Sequence, residues 1–125
     1  MGAGAVAQAL GRLLYLRGEP VIALAARNHT RAERAATFIG PSVQVVPYSE
    51  LPRLSTRVLV AVSDDAIGLV AETLARAGMC KGVALYTSGA RGPEALAPLR
   101  AVGVACGMLH PLQTVIDREQ GVKRL

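Results

Sequence analysis

Aromatic residues are scarce in this chain of 125 residues, which has three Tyr, one Phe and no Trp. The interior therefore has to be built from Ala, Val, Leu and Ile, and side chains of this size suit the thin, closely packed layers of an α/β fold. The scarcity also argues against nucleic acid as a partner, because such surfaces stack bases on aromatic rings. An anionic small ligand and an Arg-rich coding composition account equally well for the net charge of +5.

Cysteines are few, and apolar runs long enough to span a membrane are missing. Cys80 and Cys106 stand alone and have no metal-binding spacing, so we expect free thiols, a reducing compartment and no metal site. No span is long enough for a membrane helix, and the N-terminus lacks the basic start of a signal peptide. We therefore expect a soluble, cytoplasmic protein with no membrane partner, forming one domain over residues 1–125 with a poorly anchored tail from about residue 115.

The chain opens on a glycine-rich turn. Gly2, Gly4 and Ala7 form the pattern G-x-G-x-x-A, and a helix-like segment follows. This pattern is typical of the phosphate-binding turn in a dinucleotide-binding βαβ unit, in which free N–H groups at the positive end of the helix hold the diphosphate. The strand that should precede Gly2 is missing from the sequence. The predicted sheet therefore lacks its first strand.

Strand-like and helix-like segments alternate along the rest of the chain. Strand-like segments occupy residues 21–26, 43–46, 58–62, 83–86 and 104–109, and the continuous apolar runs at 21–26 and 58–62 are typical of strands buried on both faces. Helices are expected over residues 5–17, from a capping box at Thr30 to Gly40, over residues 66–77, and as a short or broken helix after Pro93. The alternation predicts an α/β fold with a doubly wound, mostly parallel sheet and flanking helices.

Ligands of such sheets bind at the carboxyl ends of the strands. The second strand of the pattern ends at Arg27 and Asn28, where dinucleotide-binding folds usually have an acidic residue for the ribose 2′-hydroxyl, and no carboxylate follows before Glu33. A guanidinium suits a 2′-phosphate, so Arg27 predicts NADP rather than NAD. A solvated arginine after a strand is the alternative.

Three other groups are expected at the same edge. Asp64 and Asp65 precede a predicted helix, and we expect them to cap that helix rather than to act in acid–base catalysis. The hydroxyl of Ser88 would lie where a nicotinamide or a substrate carbonyl could reach it. His110 ends the last strand and could act as a general acid, a general base or an orienting donor, with a structural histidine as the alternative.

The order of these segments resembles the N-terminal half of Rossmann-like NADP oxidoreductases. That group is similar to pyrroline-5-carboxylate reductase and to deazaflavin-dependent NADP reductases, and many members carry a C-terminal domain of unknown function. The resemblance rests on G-A-G-A-V-A, A-A-R-N, L-V-A-V-S-D-D-A-I, Y-T-S-G-A and L-H-P-L-Q-T, which span residues 2–114. It implies that NADP binds to Gly2, Gly4, Ala5, Val6, Arg27, Asn28, Ser63 and Asp64. It also implies that Ser88, Gly89 and His110 line the nicotinamide end, with Ser88 and His110 as the catalytic candidates.

Two functions are therefore open. The favoured one is the NADP-binding domain of an oxidoreductase that transfers a hydride to or from an unknown small-molecule substrate. The alternative is a non-catalytic nucleotide-binding or assembly module. In both cases the apolar composition and an open sheet edge predict a homo-oligomer.

Overall fold

Helices and strands alternate through the part of the chain that the structure, a computed structural model, describes, namely residues 4–87 and 93–108. The helices are α1 (Ala5–Leu16), α2 (His29–Ile39), α3 (Leu51–Leu54), α4 (Asp64–Arg76) and α5 (Ala97–Arg100). The strands are β1 (Ala23–Leu24), β2 (Gln44–Val45), β3 (Arg57–Val60), β4 (Val83–Tyr86) and β5 (Ala105–Met108). Two 3₁₀ turns, Tyr48–Glu50 and Pro93–Leu96, precede α3 and α5.

Every strand pairing is parallel, which confirms the predicted α/β class. β1 pairs with β2, and a second sheet has the order β3-β4-β5. Within residues 4–87 and 93–108 no strand pairing joins the two sheets. The carbonyl of Thr56 accepts a hydrogen bond from the Val83 N–H at 2.8 Å, so by alternation the N–H of Leu59 points away from β4. Among the residues that the structure describes, the edge of β3 that faces away from β4 therefore has no strand partner.

Helices α2 and α4 lie on opposite sides of β1, and α4 and α5 cover one face of the β3-β4-β5 sheet. The pleat of β1 directs Leu24 to a core with α2, while Ala23 and Ala25 join the larger core. That larger core lies between β3, β4 and the α4–α5 side, and its fully buried side chains include Val60, Ile67, Leu74, Leu96 and Leu99. Strand β1 thus stands between two helical layers, and the parallel sheets are flanked by helices, as expected from the sequence.

Small residues keep the layers close together. Ala7, the last residue of the glycine-rich pattern, is fully buried. A Cβ on Gly11 of α1 would lie 2.7 Å from Cδ1 of Ile39 in α2, a distance that real Cβ atoms do not adopt. Helix α1 can therefore approach α2 only because position 11 has no side chain.

The ends of several elements differ from the prediction. The apolar run 21–26 forms only a two-residue strand, because its partner β2 has two paired residues before the chain turns at Pro47 and Tyr48. Helix α4 begins at Asp64 rather than Ala66. The strand predicted over 83–86 is observed with those bounds, and the helix after Pro93 is short and preceded by a 3₁₀ turn, as expected.

A pair of glycine substitutions tests the approach of β4 to β3. Gly82 has φ +89°, and a Cβ there would overlap the Thr56 carbonyl that the ladder uses; Gly78 has φ +104° but nothing within 4 Å of a Cβ. We expect Gly78→Ala to cost about 1–2 kcal/mol for the left-handed backbone alone. Gly82→Ala should cost about 1–3 kcal/mol more, because the added carbon meets backbone that cannot move freely. Urea unfolding of both variants measures the difference, and equal losses would contradict the close approach.

Candidate functional site

A cavity of about 960 Å³ opens at the carboxyl ends of the strands, at the upper end of the range for ligand pockets. It bridges the two sheets, because residues that follow β1 and residues that follow β3 both line it. A stripe along α4 forms a further part of its wall. The lining residues are Gly4, Val6, Ala26, Arg27, Asn28, Arg31, Tyr48, Ala61, Val62, Ser63, Asp65, Ala66, Leu69, Val70, Thr73 and Thr87.

The first turn of α1 presents unsatisfied N–H groups at this cavity. Gly4 is the N-cap and has no side chain to satisfy them, and the first intrahelical bond runs from the Gln8 N–H to the Gly4 carbonyl at 3.0 Å. No acidic residue occupies the first turn. Because Gly4 and Val6 line the cavity, its wall includes the positive end of a helix with no acidic residue of that helix to offset it. This end of the cavity can accept an anion.

Two arginines add positive charge beside the end of β1. Arg27 follows the strand, Arg31 lies in the first turn of α2, and both are exposed and line the cavity. The predicted capping box at Thr30 is wrong. Helix α2 begins at His29, and Oδ1 of Asn28 accepts a hydrogen bond from the Arg31 N–H at 3.0 Å. Asn28, assigned from the sequence to the cofactor, therefore also fixes the turn that carries Arg31.

The start of α4 forms the opposite side of the cavity. Ser63 holds the N-cap position, but its hydroxyl makes no capping hydrogen bond to the helix. The side chain is exposed and lines the cavity, so a ligand could use the hydroxyl. Asp65 is also exposed and is the one carboxylate among the described side chains that line the cavity.

Tyr48 and Leu69 belong to the cavity wall but were not singled out from the sequence. Tyr48 follows β2 and is half-buried, and Leu69 projects from α4 with 61% of its surface exposed. Burial raises the pKa of the Tyr48 hydroxyl, and the charge of Arg27 acts in the opposite direction. The rule that ligands bind where parallel strands end applies to Tyr48 as well, but no motif in the sequence around it indicates a ligand.

The cavity gathers five of the predicted cofactor residues: Gly4, Val6, Arg27, Asn28 and Ser63. Ala5 and Asp64 are the first residues of α1 and α4, and both helices begin at the cavity. The other predicted site residues lie outside the described residues: Gly2, Ser88, Gly89 and His110. Thr87, which directly precedes Ser88, lines the cavity. The ligand-binding roles of all these residues stay predictions.

Metal ligands and membrane spans are not found in the described part of the chain. Residues 4–87 and 93–108 contain no group of three or more His, Cys, Asp or Glu side chains that could hold a metal ion. No helix in these ranges has both the length and the apolar character needed to cross a membrane. Cys80 and Cys106 are free, as expected, and neither lines the cavity.

Comparison with models of protein families matches residues 1–111 to the Rossmann-like domain, and the chain belongs to that family. No curated protein matches the chain, and no solved structure does. The match agrees with the parallel strands and flanking helices, and it indicates a dinucleotide ligand. It does not distinguish among the reductases that the sequence resembles.

The contribution of the Asn28 cap to the stability of the protein can be measured by substitution. Asn28→Ala removes the acceptor of the Arg31 N–H and should lower the free energy of unfolding by about 1 kcal/mol. Asn28→Ser keeps a capping oxygen and should change it by only a few tenths of a kcal/mol. Urea denaturation of both variants provides the measurement. A loss with Ser as large as the loss with Ala would mean that the side chain has some other role.

Proposed function

We propose that this Rossmann-like domain binds NADP in the cavity at the carboxyl ends of its strands. The observation that carries the proposal is the pair of arginines beside the end of β1, in the region where an NAD-binding domain has a carboxylate for the ribose 2′-hydroxyl. Two guanidinium groups can hold a 2′-phosphate through charge-assisted hydrogen bonds, whereas a carboxylate would repel it. Glu33, the first carboxylate after β1, contacts His29 Nε2 at 3.0 Å and does not line the cavity.

The diphosphate of the cofactor would lie at the first turn of α1. Free N–H groups and the positive end of the helix dipole favour a phosphate at this position. Gly4 supports this, because a Cβ at that position would meet no atom within 4 Å, so the cavity side of the turn is open to a ligand. Ser63, across the cavity, would donate its hydroxyl near the middle of the cofactor.

We further propose that the chemistry is hydride transfer to or from a small-molecule substrate. The nicotinamide supplies the hydride, and the protein has only to position its reactive face. Thr87 supports a nicotinamide end beside β4, since its side chain lines the cavity at the end of that strand. Ser88 and His110 are the predicted residues that would orient or protonate the substrate, and this part of the proposal rests on the sequence resemblance.

A non-catalytic nucleotide-binding or assembly module is the second candidate. The face of the β3-β4-β5 sheet that points away from α4 favours it, because Val83 is 40% exposed there and Leu59 and Leu85 are only half-buried. Apolar surface of this kind is typical of sheet faces that contact another protein or another copy. Sedimentation of the purified chain distinguishes a monomer from the predicted homo-oligomer.

Calorimetric titration with NADPH and NADH tests the cofactor assignment. We expect tighter binding of NADPH, and we expect Arg27→Glu to weaken it by about 10- to 100-fold because an ionic contact to the 2′-phosphate is lost and a repulsion is added. NADH has no 2′-phosphate, so its affinity should change by less than about threefold.

Arg17→Glu is the matched control. Arg17 caps the other end of α1, about 18 Å from Gly4 along a helix of 12 residues. This variant has the same net charge as Arg27→Glu, so a general electrostatic effect would weaken binding in both. Equal losses in the two variants, or equal affinities of the wild type for NADPH and NADH, would contradict the proposal.

A further inference from the structure

Tyr48 is the one aromatic residue that lines the cavity among the described residues. It follows Pro47 and opens the 3₁₀ turn after β2, so its backbone is fixed where the chain leaves the sheet. Tyr48 packs against the larger core and also lines the cavity. The ring is therefore held in place before any ligand binds.

The surroundings of Tyr48 combine apolar surface with positive charge. Arg27 is close enough for its charge to act on the Tyr48 hydroxyl, and Arg31 lines the same cavity. Burial raises the pKa of the phenol, so at neutral pH it is uncharged and does not neutralise the arginines. Leu69 and Val70 add apolar wall from α4.

A flat, uncharged ring joined to a phosphorylated sugar has the chemistry that this set of groups recognises. Aromatic side chains stack on nucleobases, and guanidinium groups bind phosphate. A phosphate or a sugar phosphate alone would leave the ring and the apolar wall without a contact. A free aromatic molecule would leave both arginines without an anion.

We propose that Tyr48 is the contact surface for the purine ring of the bound nucleotide, while Arg27 and Arg31 hold the phosphate on its ribose. This inference rests on the proposed function, since it assigns the adenosine end of the same cofactor. The contact is made by the face of the ring, and the hydroxyl is not required for it.

Two substitutions separate the ring from the hydroxyl. Adenosine 2′,5′-bisphosphate is the probe, because it carries the purine and the 2′-phosphate without the nicotinamide half. Tyr48→Ala should weaken its binding to the full chain by about 10- to 100-fold, the range expected for loss of one stacked base. Tyr48→Phe keeps the aromatic face and should bind within about threefold of the wild type. Leu16→Ala, an exposed apolar residue on α1 that does not line the cavity, is the control and should bind as the wild type does.

Tyrosine fluorescence gives a second readout that a loss of folding would not imitate. The chain has no Trp and three Tyr. Tyr86 is 3% exposed, and Tyr15 packs against the α2 core under the guanidinium of Arg12. Tyr48 is therefore the tyrosine that a ligand in the cavity would contact. After correction for the absorbance of the bisphosphate, tyrosine emission of the wild type should fall when the bisphosphate binds. The quenching should disappear in Tyr48→Phe even though the affinity is kept.

The outcomes separate this inference from the proposed function. If the wild type binds NADPH and the bisphosphate, and Tyr48→Ala binds each of them as tightly as the wild type does, the role proposed for Tyr48 is wrong and NADP binding stands. If Tyr48→Phe loses as much affinity as Tyr48→Ala, the hydroxyl makes the contact and stacking is wrong. If the wild type binds neither compound, the proposed function fails and this inference fails with it.

Discussion

Parallel pairing is the constraint on which the rest of this structure depends. Strands that run in one direction must be joined by crossovers, and each crossover helix then begins near the carboxyl end of the preceding strand. In this chain the rule brings the first turns of α2 and α4 to one edge, where the structure has its large cavity, and the first turn of α1 lies at the same cavity. The concentration of free N–H groups and positive charge at that edge follows from the topology before any individual side chain is considered.

Small side chains are the second requirement. A chain with four aromatic residues cannot fill wide spaces, and Ala23, Ala25 and Ala84 show how the strands and helices pack without them. Gly11 allows α1 to reach α2, and Gly40 ends α2 where a Cβ would overlap the ring of Tyr15. The sequence signal at Gly40 was therefore correct for a reason other than a left-handed backbone, since its φ of 175° is extended.

Buried strands and glycine stops could be predicted because each depends on local sequence. The run 83–86 and the positive φ of Gly18 after α1 are examples. The start of α2 could not be fixed so well, since Asn28 and Thr30 both have side chains that can cap a helix and only the fold selects between them. Tyr48 was missed because its place in the cavity wall depends on the meeting of β2, α4 and Arg27, which are distant in the sequence. At the cavity, Arg27, Asn28 and Ser63 were found by one rule, that parallel strands place their ends together.

The most direct test of the account is a map of backbone amide shifts in ¹⁵N–¹H spectra as NADP⁺ is added. If a dinucleotide binds at the carboxyl ends of the strands, the largest changes in amide shift should fall on Gly4 and the first turn of α1, on Arg27 to Arg31, and on Ala61 to Ala66. Gly18 and Gly78, which end α1 and α4 at the far edge of the sheet, should not shift. Changes centred on those two glycines, or no changes at saturating cofactor, would contradict a dinucleotide site at the carboxyl ends of the strands.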